Sequence, residues 1–244
     1  MKTREFLYAV VVAVGIAPLC ASADVVPVGQ SVAGQSQGQW TATWWQTMLA
    51  IPPAQNPILD PDGSFASGGD LGDVFLLAGT FGGTASRSVT IRDDQHLFFP
   101  LVNGLYINFD GSQTEADLRI LVAEDIPFFN TLFANLDGAA LVSDPFTQRI
   151  DSPPGLFTTV FPADNVFGIP PGSFDSVAAG YWIMLEPLAQ GTHTLNFGGS
   201  SLGNPFVPDF STDVTYTINV VPAPGATVAL ALGLASGLRR RRRI

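Results

Sequence analysis

The stretch that decides the fold runs from Tyr181 to Val220. Tyr181–Leu188 reads YWIMLEPL, Ala189-Gln190-Gly191 supplies a turn, Thr192–Phe197 reads THTLNF, and Val214–Val220 reads VTYTINV. In THTLNF, His193, Leu195 and Phe197 share one face while Thr192, Thr194 and Asn196 share the other, the period of two expected of a strand with one buried side. β-Branched and aromatic residues dominate all three runs, and a turn separates the first two. The section reads as a hairpin followed by a closing strand.

Working outward, the same grammar reaches back to Val74. Val74–Thr80, Ser88–Ile91, Leu97–Val102, Leu118–Ala123, Leu156–Phe161 and Ala179–Leu185 are short apolar or alternating runs bounded by Gly, Pro, Asn and Asp. Two segments break the pattern. Ser36-Gln37-Gly38-Gln39 has the S-x-x-Q form of a capping box. Trp40, Trp44 and Met48 then recur every four residues until Pro52-Pro53, which predicts a helix over about 37–50. Asp125 as cap, Pro127 in the first turn, and Phe128, Phe129, Leu132, Phe133 and Leu136 as a stripe predict a second helix ending at Gly138. Residues 24–35, rich in Gly, Gln and Ser, are expected to be loose. The fold expectation is mainly β: a single antiparallel β-sandwich domain with two short helices.

Composition narrows the function. Between residues 24 and 219 the basic residues are Arg87, Arg92, Arg119 and Arg149, against 20 of the chain's 21 acids, a formal charge of −16. Such a surface repels phosphate backbones, which argues against nucleic acid as a partner. Cys20 is the single cysteine, so no disulfide framework exists within this region and stability must come from burial. Eighteen phenylalanines and four tryptophans provide for it.

Both ends of the chain carry targeting grammar. Lys2 and Arg4 precede the apolar run Phe6–Leu19, and Ala21-Ser22-Ala23 has the A-x-A form of a cleavage site, so residues 1–23 read as a signal peptide cut by signal peptidase after Ala23. Cys20 directly follows Leu19, without the small residues that a lipidation site needs. At the other end, Val220–Leu238 carries no charge, close to the roughly 20 residues that cross a bilayer, and Arg239, Arg240, Arg241, Arg242 and Arg243 follow. The arginines orient such a helix with the main domain outside the cell. The expected division is 1–23 signal helix, 24–219 exported domain, and 220–244 C-terminal transmembrane tail.

The order Val221-Pro222-Ala223-Pro224, short Ala/Leu/Gly helix, arginine cluster resembles the PEP-CTERM sorting signal. The resemblance implies processing near the proline motif by an exosortase-type membrane protease, then release or attachment at the cell surface, commonly beside extracellular polysaccharide. Ala223 stands where that family usually has glutamate. A permanent tail anchor is the plainer alternative. A second resemblance covers most of the domain. WTATWWQTMLAIPPAQNPILD, VFLLAGTFGG, LFFPLVN and GYWIMLEPLAQGTHTLNFGGS are similar to a family of uncharacterised exported bacterial proteins, which implies one module and no particular activity.

Chemistry-bearing motifs are sparse. His193 shares an apolar strand face and reads as a core histidine, with a site role as the alternative; His96 follows Asp93-Asp94 and reads equally as an exposed strand-edge residue or a site residue. Neither has zinc-ligand spacing. No nucleophile elbow, phosphate loop or dinucleotide fingerprint occurs in a strand-turn-helix context. Asp60-Pro61-Asp62-Gly63-Ser64 begins like a calcium loop, which makes Asp60 and Asp62 the metal candidates and calcium the one cofactor raised. The loop lacks the third ligand position and a terminal glutamate, so an ordinary acidic turn is its leading reading and calcium the alternative. Tyr181 and Trp182 alternate across a strand, so one of them faces outward unless a helix or loop covers it; core packing is the leading reading and a sugar-stacking platform the alternative. The leading expectation is a non-catalytic structural or adhesive protein of the cell surface or extracellular matrix. A carbohydrate-binding module, with or without calcium, is the alternative, and a secreted hydrolase the third class.

Overall fold

The computed structural model describes residues 23–203 and 209–224. In chain order these form β1 (Ser31–Val32), β2 (Gln35–Ser36), α1 (Gln37–Ala50), β3 (Val74–Leu76), β4 (Gly83–Arg92), β5 (His96–Ile107) and α2 (Glu115–Asp125). Then come β6 (Phe129–Leu136), β7 (Ala139–Ala140), β8 (Arg149–Asp151), β9 (Phe157–Phe161), β10 (Gly172–Leu185), β11 (Gly191–Ser201) and β12 (Phe210–Val221). The described chain is mainly β, as the alternating runs require.

Two five-stranded sheets carry the fold. One has the order β3-β5-β10-β8, with β9 also on β10; the other has the order β4-β12-β11-β6-β7. Their facing side chains make one core, where Phe99 of the first sheet meets Phe197 of the second at 4.5 Å between ring centroids. The alternation in THTLNF therefore works as expected: Leu195 and Phe197 are buried in this core, and β11 pairs with β12 from Gly191 to Ser201. The sheets are mixed rather than purely antiparallel. β12 runs parallel to β4 and β3 parallel to β5, because the chain crosses between sheets before each of these pairings instead of turning back on its neighbour.

A third layer covers the outer face of the first sheet. α1 forms where the capping box placed it: the Ser36 hydroxyl accepts from the Gln39 N–H at 3.2 Å, and the Gln39 side chain accepts from the Ser36 N–H at 2.8 Å. Its stripe of Trp40, Trp44, Trp45, Met48 and Leu49 packs on Leu76, Phe98 and Trp182. Trp182 stacks on Phe98 at 5.2 Å and meets Trp44 edge-on. β10 is thus buried on both faces from Val177 to Leu185, which explains why its sequence is continuously apolar rather than alternating. Residues 24–35 are tied down, contrary to the expectation of a loose segment. Val26 donates to the Met184 carbonyl, and the buried Gln37 amide donates to Pro27 O at 2.7 Å.

The second predicted helix and a predicted strand exchange places. Leu118–Ala123 lies within α2, capped by Thr114 and Asp117 in a reciprocal box, with Leu118 and Val122 buried on Val177 and Ala179. Phe129–Leu136 is β6, paired with β11. Its buried residues are Leu132, Ala134 and Leu136, a period of two that the bulky residues at 128, 129 and 133 hide. Asp125, expected as a cap, is instead the last residue of α2.

The domain reaches further towards the C-terminus than residue 219. β12 runs on to Val221, opposite Arg92, and Asp93 accepts the Ala223 N–H at 2.9 Å. Val221, Pro222 and Pro224 therefore sit at the end of a strand with their side chains exposed or nearly so. Ala23 is described; the cleavage residue Ala21, the signal helix, the apolar tail helix and Arg239–Arg243 lie outside the described residues. Among the described residues no helix is long and apolar enough to cross a membrane.

Candidate functional site

Three hollows lie along the second half of β5. The first, of about 200 Å³, is lined by Val102, Gly104 and Tyr106 of β5 and by Phe128, Phe129 and Phe210. Asp125 at the end of α2 closes one side, where its carboxylate accepts the Tyr106 hydroxyl. Burial, reinforced by this carboxylate, pushes the Tyr106 phenol far above its ordinary value, so it is a fixed donor and not a base. The second hollow, about 90 Å³, shares Val102, Asn103 and Phe210 with the first and is walled by Trp45, Phe81 and Pro100. The third, about 380 Å³, is lined by Trp45, Leu105, Ile107, Phe109, Phe167 and Ile169.

These hollows are apolar and their polar groups are few. The Asn103 amide nitrogen and the Trp45 indole nitrogen are buried without a hydrogen-bond partner among the described residues. Both residues sit at the joint between neighbouring hollows. Phe81, Phe109 and Phe167 rim the second and third hollows and stay about half exposed, at 43%, 56% and 41%. Their rings continue inward as a row: Phe81 on Phe167 at 5.3 Å, Phe167 on Phe161 at 5.9 Å, Phe161 on Phe174 at 5.8 Å, and Phe174 on Phe109 at 5.4 Å.

The residues singled out by sequence lie elsewhere. Asp60 is buried, and its carboxylate accepts the N–H groups of Asp62, Gly63 and Phe65 at 3.1, 3.0 and 2.7 Å. Asp62 accepts the Ser64 hydroxyl and N–H, which hold its carboxyl below the usual carboxylate range. The loop is a self-capped acidic turn whose carboxylate oxygens face backbone N–H groups. Among the described residues no three His, Cys, Asp or Glu side chains converge as a metal site requires. Tyr181 and Trp182 do not form a stacking platform: both are buried, because the second sheet covers one face of β10 and α1 the other.

The two histidines are held apart in separate ion pairs. His96 Nε2 meets Glu186 at 3.0 Å near the surface. His193 Nδ1 meets Asp137 at 2.7 Å, and its Nε2 meets the Ala189 carbonyl at 2.9 Å. These two contacts clamp the turn after β6 to the turn before β11. Desolvation raises the Asp137 carboxyl, but the Thr194 N–H and His193 outweigh it and leave it lowered.

Arg87 is the polar residue that sequence reading missed. It is buried at the middle of β4, and among the described residues no carboxylate pairs with it. Its guanidinium donates to the carbonyls of Asp60 (2.7 Å), Ala78 (2.6 Å), Gly79 (3.1 Å) and Ile58 (3.1 Å), and to the Tyr216 hydroxyl (2.9 Å). It ties two loops to the second sheet. An arginine in the alternating run GTASRSVTIR, at a position whose parity matches the buried Val89 and Ile91, was the available signal. No protein-family model, curated protein or solved structure matches this chain.

Proposed function

We propose that this is an exported, non-catalytic protein of the cell surface or extracellular matrix, structural or adhesive in role. The observation that carries the binding half is the gathering of three apolar hollows and three half-exposed phenylalanines along one side of β5. Large exposed apolar patches on a domain of this charge mark contact surfaces. His96, His193, Asp60 and Asp62 line none of the three hollows and are engaged in local contacts and a turn, which favours binding over turnover. Export is supported by the two ends of the sequence: signal peptidase acts at Ala23, and an exosortase-type protease or a permanent anchor acts through the tail beyond Val221. The protein would be anchored transiently in the inner membrane and finish at the surface. The two sheets then serve as a sandwich scaffold carrying the contact side.

Intact-mass measurement of the protein from its producing cell tests this. Loss of residues 1–23 and of the segment beyond the proline motif, with the mature protein at the surface or in the medium, is expected. A full-length chain retained in the cytoplasm would overturn the reading.

The row of phenylalanine rings favours a second reading, a carbohydrate-binding module, because sugar faces stack on such rings. Binding to the producer's own polysaccharide that falls on Phe109→Ala and Phe167→Ala would establish it. Sensitivity to a chelator would bring calcium and Asp60 and Asp62 back into it.

A further inference from the structure

β5 has one open edge. On one side it pairs with β10 along its length, with the bulge at Leu101. On the other, β3 reaches only His96–Phe98, and Leu77 donates to the Phe98 carbonyl. From Pro100 to Ile107 no described strand pairs with that side. The direction of each amide follows from its neighbours. Asn108 donates to Asp175 of β10 at 2.8 Å, so by alternation the main-chain groups of Tyr106 and Gly104 also face β10. Ala178 confirms the register, since its N–H and carbonyl turn to Ser152 on the far side of β10. The N–H groups of Asn103, Leu105 and Ile107, and the carbonyls of Asn103 and Leu105, therefore point out of the sheet. Pro100 stands on the same open side, where its missing N–H costs no ladder bond.

The side chains beside this edge are arranged for alternate occupancy. Val102, Gly104 and Tyr106 border the first hollow on one face of the sheet, while Leu105 and Ile107 border the third on the other. A strand laid against the edge would place successive side chains into hollows on opposite faces. The flanks are acidic. Asp125 lines the first hollow, and the exposed Asp110, Asp164 and Asp209 lie within three residues of the lining Phe109, Phe167 and Phe210. Among the described residues no lysine or arginine lines any of the three.

The geometry points to a peptide-binding site: β5 takes up an extended, cationic-apolar segment of another polypeptide as an added strand. Outward amides with no partner among the described residues ask for a strand, hollows on both faces ask for apolar side chains at successive positions, and the acidic flanks with a domain charge of −16 ask for lysine or arginine on either side of them. A second copy of this chain is disfavoured as the occupant, since two such surfaces repel. The site holds irrespective of where the protein is finally displayed.

The test uses the full-length chain in mild detergent and a fluorescent lysine–valine heptapeptide in which three successive valines are flanked by two lysines at each end. Binding with a Kd below about 0.1 mM is expected at low salt, with weakening as salt rises. Leu105→Pro removes an outward N–H but no bond to β10, and should weaken binding at least ~10-fold while leaving the fold intact. The same peptide, N-methylated at all three valine amides so that both of its edges are blocked, should lose binding, a test that needs no variant. A glutamate-for-lysine peptide should not bind. No binding by the lysine–valine peptide, or binding indifferent to both Leu105→Pro and N-methylation, would overturn the proposal. So would a dimer abolished by Leu105→Pro, or polysaccharide binding blocked by Leu105→Pro in a chain that ignores the peptide.

Discussion

Replacing Arg87 by methionine tests how the two sheets and their loops are joined. The aliphatic stem is nearly preserved, so little packing is lost, but five hydrogen bonds disappear. The Ala78 carbonyl keeps its bond from the Tyr216 hydroxyl at 3.0 Å, and that hydroxyl still accepts from the Ala78 N–H. The carbonyls of Ile58, Asp60 and Gly79 keep no partner among the described residues. An orphaned buried acceptor costs about 1–3 kcal/mol. Three of them set a gross loss of roughly 3–9 kcal/mol, from which relief of the buried charge must be subtracted. A net destabilisation of about 3–5 kcal/mol is expected, within the lower part of that gross range. Arg87→Lys should fare little better, since one ammonium cannot reach a fork of acceptors spread over two loops. Urea unfolding of residues 24–224, followed by fluorescence of the buried Trp40, Trp44, Trp45 and Trp182, reads the change. Tyr216→Phe should cost about 1–2 kcal/mol, and the double variant less than the two single losses together, because the two side chains share a bond. An Arg87→Met domain within about 1 kcal/mol of the parent, at unchanged m-value, would refute the idea that this guanidinium holds the loops.

Burial raises the phenols of Tyr106, Tyr181 and Tyr216 above their ordinary value near 10, and the folded state therefore binds protons that the unfolded chain releases. Stability from these groups is complete below about pH 10 and falls above it; tyrosinate absorbance of residues 24–224 should stay low at pH 10 and appear together with unfolding, and free titration of all three phenols near 10 would contradict this. At the acid end, Asp62, Asp93, Glu115 and Asp137 are all lowered, each chiefly through hydrogen bonds that it accepts except Asp137, where burial works against them. Their contribution is present above about pH 4 and lost as pH falls through the lowered folded values, so unfolding by circular dichroism should begin only below that point. Gly198→Ala should be severely destabilising, because a Cβ there would lie 2.0 Å from the Thr212 carbonyl oxygen, whereas Gly79→Ala, with its nearest contact at 3.7 Å, should leave the thermal midpoint nearly unchanged.

The sequence is legible where one element meets one environment. β11 has a buried face and an open face, so its alternation can be read directly; α1 has a capping box and a four-residue stripe, and forms as read. Legibility fails where a segment is touched from two sides or where a small residue fills a core position. β6 buries Ala134 between Leu132 and Leu136, and because alanine carries little hydrophobic signal, the flanking phenylalanines impose a false helical period. α2 buries only Leu118 and Val122, too few to outline a stripe, and its announcing signal was the cap at Thr114 with Asp117 in place of the usual glutamate. The candidate site was illegible for a related reason. It owes its character not to a motif but to an edge: β5 is paired fully on one side and for only three residues on the other, and pairing is a property of the assembled sheet. Leu105 and Ile107 look like any interior strand residues in sequence. The direction of the Asn108 amide, fixed by its bond to Asp175, and the bonds of Ala178 to Ser152 show that their own amides face outward. Natural sheets blunt such edges with charge, proline or cover. Here Pro100 blunts the beginning of the edge, the acidic flanks stand beside it, and the stretch from Asn103 to Ile107 is left with apolar hollows on both faces. An edge guarded along this stretch by negative charge disfavours further copies of an acidic chain while staying open to a basic strand, so in the proposed site one feature would both oppose self-pairing and select the partner.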